Sequence, residues 1–299
     1  MNTEECLQHC LTEDERIKFE EDGYIIVNNA LSSDAIEKFT EAVDNSETHH
    51  GGDGALGYHD RFLELVDWPT TFPKVFGILG WNIYVYYSQL LISPPLDPSK
   101  KDEKRDYYRF WHQDSGRINA DIEPGPQPRL SLKVAYFLTD LTQENSGNFT
   151  IIPGSHKKRE LDFPSDGFSD PEGAIALKFP AGTAVIFDRR LWHVGGPGNF
   201  SNITRKMFTM GYGYRWLRPR DRVDYSHYIE NADPIRRQLL GVESGPKGTT
   251  VPMDEDVPLR DWMLEHLGKE AIEDKYIRLP NSWYGAPGVE FKYPATPRT

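Results

Sequence analysis

Arg109-Phe110-Trp111-His112-Gln113-Asp114-Ser115 is the stretch on which the reading of this chain turns. It leaves a charged loop and reads as the end of a β-strand. In an extended chain, side chains two apart point to the same side. His112 and Asp114 therefore project together and Gln113 turns away. An imidazole and a carboxylate side by side supply two of the three ligands of the 2-His-1-carboxylate facial triad, which holds non-haem Fe(II) and leaves coordination positions open. The third ligand has to come from elsewhere. His193, in Phe187-Asp188-Arg189-Arg190-Leu191-Trp192-His193, is the candidate. His-x-Asp alone is a weak signal, and its weight comes from its surroundings.

Around this stretch lie short β-type runs separated by Gly/Pro turns: 83–92, 130–138, 149–152, 176–179, 183–187 and 205–212. His193 follows the strand over 183–187. Upstream, Thr12 and Glu15 form a capping box for a helix to about Asp22, Gly23 stops it, and 24–27 reads as a strand. Ser32 caps a second helix carrying Ala35, Ile36, Phe39 and Val43. Residues 63–79 read as helix in parts, broken by Pro69 and Pro73. His49-His50 lies in a polar, Gly-rich stretch and reads as solvated loop. After Trp216 the chain turns rich in Pro, Arg and Asp, with short helices near 232–240 and 259–267. The pattern predicts a mainly β fold: a jelly-roll, cupin-like sandwich (double-stranded β-helix) flanked by N-terminal helices and an irregular C-terminal extension. We expect one domain over 1–299, with the core at about 80–216, an N-terminal region at 1–79 and the extension at 217–299.

Composition excludes several classes. The chain of 299 residues carries 34 Lys and Arg against 46 Asp and Glu, a net charge of −12. That balance argues against a general binder of nucleic acid or anionic membranes. The two cysteines, Cys6 and Cys10, read as reduced thiols. No signal peptide and no apolar run of transmembrane length is evident. A cytoplasmic protein, monomer or homodimer, is expected.

Arg205 opens a strand 12 residues beyond His193, which itself lies 81 residues after His112. A guanidinium one hairpin from the metal ligands can grip a carboxylate bidentately. The co-substrate that needs both an open metal site and a distant cationic clamp is 2-oxoglutarate. Zn(II) on a different enzyme, or a vestigial site on a binding protein, are the competing readings of the same residues.

At this point the sequence resembles the phytanoyl-CoA dioxygenase family of Fe(II)/2-oxoglutarate oxygenases. The resemblance runs from Asp22-Gly23-Tyr24 through Trp111-His112-Gln113-Asp114, Leu138-Thr139-Asp140 with Asn145-Ser146-Gly147, and Pro153-Gly154-Ser155-His156, to His193 and Arg205, over about residues 12–216. It implies that His112, Asp114 and His193 bind iron and that Arg205 binds the distal carboxylate of 2-oxoglutarate, with His156 in a structural turn. It also implies 2-oxoglutarate neighbours at Gln89 (or Ser88) and Lys133, the latter where relatives often carry an aromatic residue. The implied reaction uses O2, releases succinate and CO2, and hydroxylates an unactivated C–H. Halogenating relatives lack the carboxylate, and Asp114 is present.

The substrate is less legible. Tyr107, Tyr108, Trp111, Trp192, Tyr214 and Trp216 are aromatic candidates for its pocket. An acyl-CoA would call for a basic patch, yet the charges of the 94–108 loop nearly cancel. A small metabolite or natural-product intermediate is the expected substrate. An acyl-CoA hydroxylase and a catalytically degenerate binding protein are the alternatives.

Overall fold

The computed structural model describes residues 1–46, 51–100, 111–114, 116–123, 125, 127–166, 169–196, 198–245, 248–250 and 252–273. Helix α1 (Thr3–Gln8) precedes α2 (Glu13–Asp22), which begins on the expected capping box of Thr12 and Glu15. Gly23 ends α2 in the left-handed conformation, at φ 82°, and the chain runs straight into β1 (Tyr24–Val27). A Cβ at Gly23 would lie 2.4 Å from Nδ1 of buried His156. Gly23→Ala is therefore expected to lower the unfolding free energy by about 2–4 kcal/mol, a left-handed backbone cost added to an overpacked contact. Denaturant titration measures this, and a variant as stable as the parent would show that His156 yields freely.

Ser32 caps α3 (Ser33–Asp44), whose Ala35, Phe39, Ala42 and Val43 are buried. The expected broken helix over 63–79 is a 3-10 stretch, Asp60–Asp67, followed by α4 (Phe72–Leu79). Pro73 does not break a helix here. It sits in the first turn of α4, where its missing N–H has no helical partner to lose.

Two antiparallel sheets follow. The larger joins β1 to β2 (Gly51–Asp53), β3 (Ile83–Ser93), β4 (Ser131–Phe137), β7 (Ala184–Asp188) and β9 (Arg205–Tyr214), in the order β1-β7-β4-β9-β3-β2. The smaller runs β6-β5-β8, with β5 (Phe149–Ile151), β6 (Ile175–Ala176) and β8 (His193–Gly195). Of the expected strand over 176–179 only Ala176 is in a strand, the two-residue β6 that starts at Ile175. His193 opens β8 rather than trailing the strand before it.

Residues directly opposite in neighbouring strands share a face of the sheet, so register assigns every side chain. Lys133 pairs with Gly211 and Phe187, Gln89 with Thr209, and Ser93 with Arg205. These line the inner face, where Ala135, Phe137, Met207 and Phe187 pack against Phe149 and Ile151 of the smaller sheet. The outer face carries Leu132, Val134, Tyr136, Phe208, Met210 and Tyr212 into a core shared with the helices. That core also takes Leu239 from the helix Pro234–Leu239 and Leu259 and Met263 from the helix Pro258–Leu267, the short helices expected after Trp216. The architecture is the expected jelly roll, with helices on one face and the space between the sheets left for a site.

Candidate active site

His112 and the first residue of β8, His193, face each other across an isolated antiparallel bridge. Each donates its N–H to the other's carbonyl, at 3.1 and 3.0 Å, and their ring centroids lie 4.3 Å apart. This exchange of main-chain bonds sets the two imidazoles side by side although 81 residues separate them in the chain. Two residues on, Asp114 donates its N–H to the Arg189 carbonyl at 2.8 Å and turns its carboxylate to the same side. Gln113 points away, bonded to the carbonyls of Lys158 and Arg190, as alternation requires. His112 Nε2 lies 3.9 Å from Asp114 Oδ1, and His193 Nε2 lies 3.9 Å from Asp114 Oδ2. One nitrogen of each imidazole and one carboxylate oxygen, the atoms that could bind a metal, all fall within 4.8 Å of one another.

The protonation states suit a cation. His193 Nδ1 lies 2.8 Å from the Leu191 carbonyl. A carbonyl only accepts, so Nδ1 carries the proton and Nε2 presents its lone pair to the cluster. Burial, aided by the charges of His112 and Lys133 and opposed by Asp114, pulls this imidazole down to about 4, so it is neutral at pH 7. The rings of Phe149 and Phe187 pack against it at 5.4 and 5.0 Å. Burial works to raise Asp114, but the ammonium of Lys133, with the two imidazoles, holds its carboxyl below the ordinary value. Asp114 is therefore ionised. Its Oδ1 accepts from Lys133 Nζ at 2.7 Å, and its Oδ2, fully buried, has no hydrogen-bond partner among the described residues.

Arg205, at the start of β9, is buried at 7% exposure. It donates to the Gly147 carbonyl and, at 3.0 Å, to Ser93 Oγ, while its Nε has no partner. Among the described residues no carboxylate pairs with it. Burial depresses its guanidinium below the ordinary value. A buried cation without a counter-charge costs several kcal/mol, so this end of the inner face is suited to an anion. Thr209, on the same face of β9 and nearer Lys133, has a buried hydroxyl with no partner. Sequence reading missed Thr209, because a threonine in a strand is ordinary and only the orphaned hydroxyl marks it.

The other candidates fall in different places. Gln89 shares the inner face with Thr209. Ser88, opposite Met210 of the helix-side core, belongs to the outer face, where it donates from Oγ and from its N–H to Asp221 and accepts from the Leu56 N–H. It turns away from the site, which removes it as a neighbour of the co-substrate. Lys133 sits at the ligand cluster, six residues of β9 from the level of Arg205, and holds Asp114. Trp111 is buried with Ile152 and Val194, and half-buried Trp192 packs on that cluster. Tyr214 stacks on Trp216 at 5.4 Å. Trp216 lines a cavity of about 400 Å³ with Tyr84, Tyr86, Arg215, Asp221 and Tyr225, and none of the three clustered ligands reaches it. His156 is buried under Gly23, outside the cluster. Tyr107, Tyr108 and His49-His50 lie outside the described residues.

A jelly roll that sets two imidazoles and a carboxylate around one point, with an anion-seeking arginine farther along the same face, defines an oxygenase of the Fe(II)/2-oxoglutarate class. Residues 96–207 match the family model of phytanoyl-CoA dioxygenase (PhyH), a span that contains His112, Asp114, His193 and Arg205. With the relatives that follow, this makes the chain an Fe(II)- and 2-oxoglutarate-dependent dioxygenase that is similar to that family over the matched span. It is 27% identical over 250 residues to dioxygenase trt7 of Aspergillus terreus, covering 74% of this chain and 81% of that one. It is 26% identical over 204 residues to an ectoine dioxygenase of Sphingopyxis alaskensis, covering 58% and 61%. In fold it is similar to HygX of Streptomyces hygroscopicus, solved with nickel, 2-oxoglutarate and hygromycin B, with a TM-score of 0.54, 14% identity and coverage of 70% and 90%. It is likewise similar to the carbocyclase SnoK from nogalamycin biosynthesis, with a TM-score of 0.52, 21% identity and coverage of 74% and 92%.

Proposed function

We propose that this dioxygenase oxidises an unactivated C–H of a small metabolite or natural-product intermediate, most simply by hydroxylation, with His112, Asp114 and His193 as the iron ligands and Arg205 as the clamp for 2-oxoglutarate. The observation that carries the assignment of roles is the pair of unmet demands on one face of the sheet. Among the described residues, Asp114 Oδ2 is a buried anionic oxygen without a hydrogen-bond partner, and Arg205 is a buried cation without an anion. A metal answers the first and the far carboxylate of 2-oxoglutarate the second. Iron with 2-oxoglutarate and O2 supplies the oxidising power for C–H cleavage, with succinate and CO2 released.

The chain's own residues supply position and environment. The Leu191 carbonyl fixes the His193 tautomer, so a neutral nitrogen faces the metal at any pH well above 4. Phe149 and Phe187 wall that side against water. Arg205 fixes one end of the co-substrate, with the Thr209 hydroxyl and Gln89 between it and the ligands. His112, half exposed, marks the open side, which is where substrate enters.

A small-molecule substrate is supported by relatives such as the ectoine dioxygenase and by HygX, whose structure holds hygromycin B. We read the chain as one oxygenase domain, because residues from Cys6 to Met263 share a core. We read its location as cytoplasmic, because Cys6 and Cys10 are free thiols. Among the described residues no helix is long and apolar enough to cross a membrane. Incubating a metabolite extract with protein, Fe(II), ascorbate and 2-oxoglutarate should yield a product heavier by one oxygen, detected by mass spectrometry and labelled by 18O2. Succinate release without any oxidised product from a broad metabolite panel, and with product from acyl-CoA thioesters instead, would move the substrate to that class.

A further inference from the structure

Lys133 is a lysine in the middle of a fully buried strand, and its burial has a specific partner. Its ammonium donates to Asp114 Oδ1 at 2.7 Å and lies 4.8 Å from the centre of the Tyr87 ring. Its register partner Gly211 carries no side chain, and the Tyr86 ring lies over that glycine. Tyr87 is itself held, donating its hydroxyl to Asp53 Oδ1 at 3.2 Å, with the Arg220 guanidinium 4.3 Å from its ring. Lys133 is thus a fixed cation, not a wandering one. The carboxylate it holds has two unlike oxygens. Oδ1 is engaged by the ammonium, while Oδ2 is buried, unpartnered and 3.9 Å from His193 Nε2.

We infer that Lys133 is a positioning residue that holds Asp114 by Oδ1 and so makes Asp114 a one-oxygen metal ligand through Oδ2. Resting on the metal-site reading proposed above, this follows from charge and from counting. A dication and an ammonium on the same oxygen repel at short range in a medium where charge is poorly screened, so the metal takes the other oxygen. Three protein atoms then occupy one face of a six-coordinate ion. Two positions remain for the chelating end of 2-oxoglutarate and one for O2. A carboxylate bound through both oxygens would use a fourth position and leave none for O2. Lys133 thereby protects the open site without touching substrate.

The direct test is a Mn(II)-bound crystal structure of the full chain, as wild type and as Lys133→Met, with Mn(II) affinity and succinate kinetics measured on both and on Lys133→Arg. The wild type should show Asp114 bound through Oδ2 alone with Lys133 still on Oδ1. Lys133→Met should keep Mn(II) binding and bind the metal through both oxygens. Its kcat should fall by about tenfold to a hundredfold, the usual cost of losing a group that orients a ligand, with KM for 2-oxoglutarate little changed. Lys133→Arg, which keeps the charge, should recover part of the loss. Asp114 bound through Oδ1 or through both oxygens with Lys133 in place would overturn the inference while leaving the metal site standing. So would wild-type carboxylate geometry and kcat in Lys133→Met. Absence of Mn(II) from His112, Asp114 and His193 in the wild type would instead remove the metal-site reading and this inference with it.

Discussion

His193→Ala is expected to abolish turnover and to weaken Fe(II) or Mn(II) binding by well over a hundredfold. Loss of a group that merely orients a ligand already costs about 10–100-fold, and His193 is proposed as a ligand itself. The variant should fold, because the residue is neutral, and removing a neutral ring leaves no stranded charge. Its wall of Phe149 and Phe187 loses packing, with a cost of about 2–4 kcal/mol by comparison with other large-to-small core changes. Asp114→Ala should be equally inactive but less stable by a further margin. It leaves the Lys133 ammonium buried without its partner, a type of loss that costs about 3–5 kcal/mol. Circular dichroism and metal titration on the two variants separate these effects. A His193→Ala protein that binds Mn(II) like the wild type would break the assignment of that ligand.

Arg205→Ala is expected to raise the apparent KM for 2-oxoglutarate by about 10²-fold or more, with metal affinity little changed. Hydrogen bonds to charged groups are worth about 1.5–3 kcal/mol each, and a guanidinium offers two to one carboxylate. Arg205→Lys keeps the charge but loses the fork, so it should fall between. The side chain lies remote from the ligand cluster along β9, with its fixed contacts to Gly147 and Ser93. A simple structural role would show as a drop in stability with an unaltered KM. Steady-state kinetics with 2-oxoglutarate varied, alongside thermal unfolding, decides between the two.

The candidate pair was legible from two-residue alternation, with His112 and Asp114 on one side and Gln113 on the other, although residues 111–114 form only an isolated bridge at His112 and a turn at Asp114 rather than the expected strand end. His193 was legible as a residue but not as a position. It starts β8 because it pairs with His112 and Ile151, and both partners are remote in sequence. The choice between Ser88 and Gln89 could not be read. A register shift between Val85 and Tyr87 resets alternation along β3, so counting from the strand's start does not give the face. Pro73 was misread because a proline that opens a helix and one that ends it look alike until the helix start is known. Lys133 was visible as an anomaly in an apolar strand, but its partner was not. Asp114 precedes it by 19 residues across α5 (Gly116–Asp121) and the loop after it, and nothing local ties the two.

His112, Asp114 and His193 are proposed to hold the Fe(II) with which this chain consumes 2-oxoglutarate. Succinate formation by the purified full chain in air tests it most directly, with Fe(II), ascorbate and 2-oxoglutarate present and with His193→Ala and an Fe(II)-free sample in parallel. Succinate is expected from the wild type, slowly without substrate and faster with a metabolite extract, and none above background from the other two. Succinate formed equally by His193→Ala, or none from the iron-loaded wild type with the extract present, would contradict it.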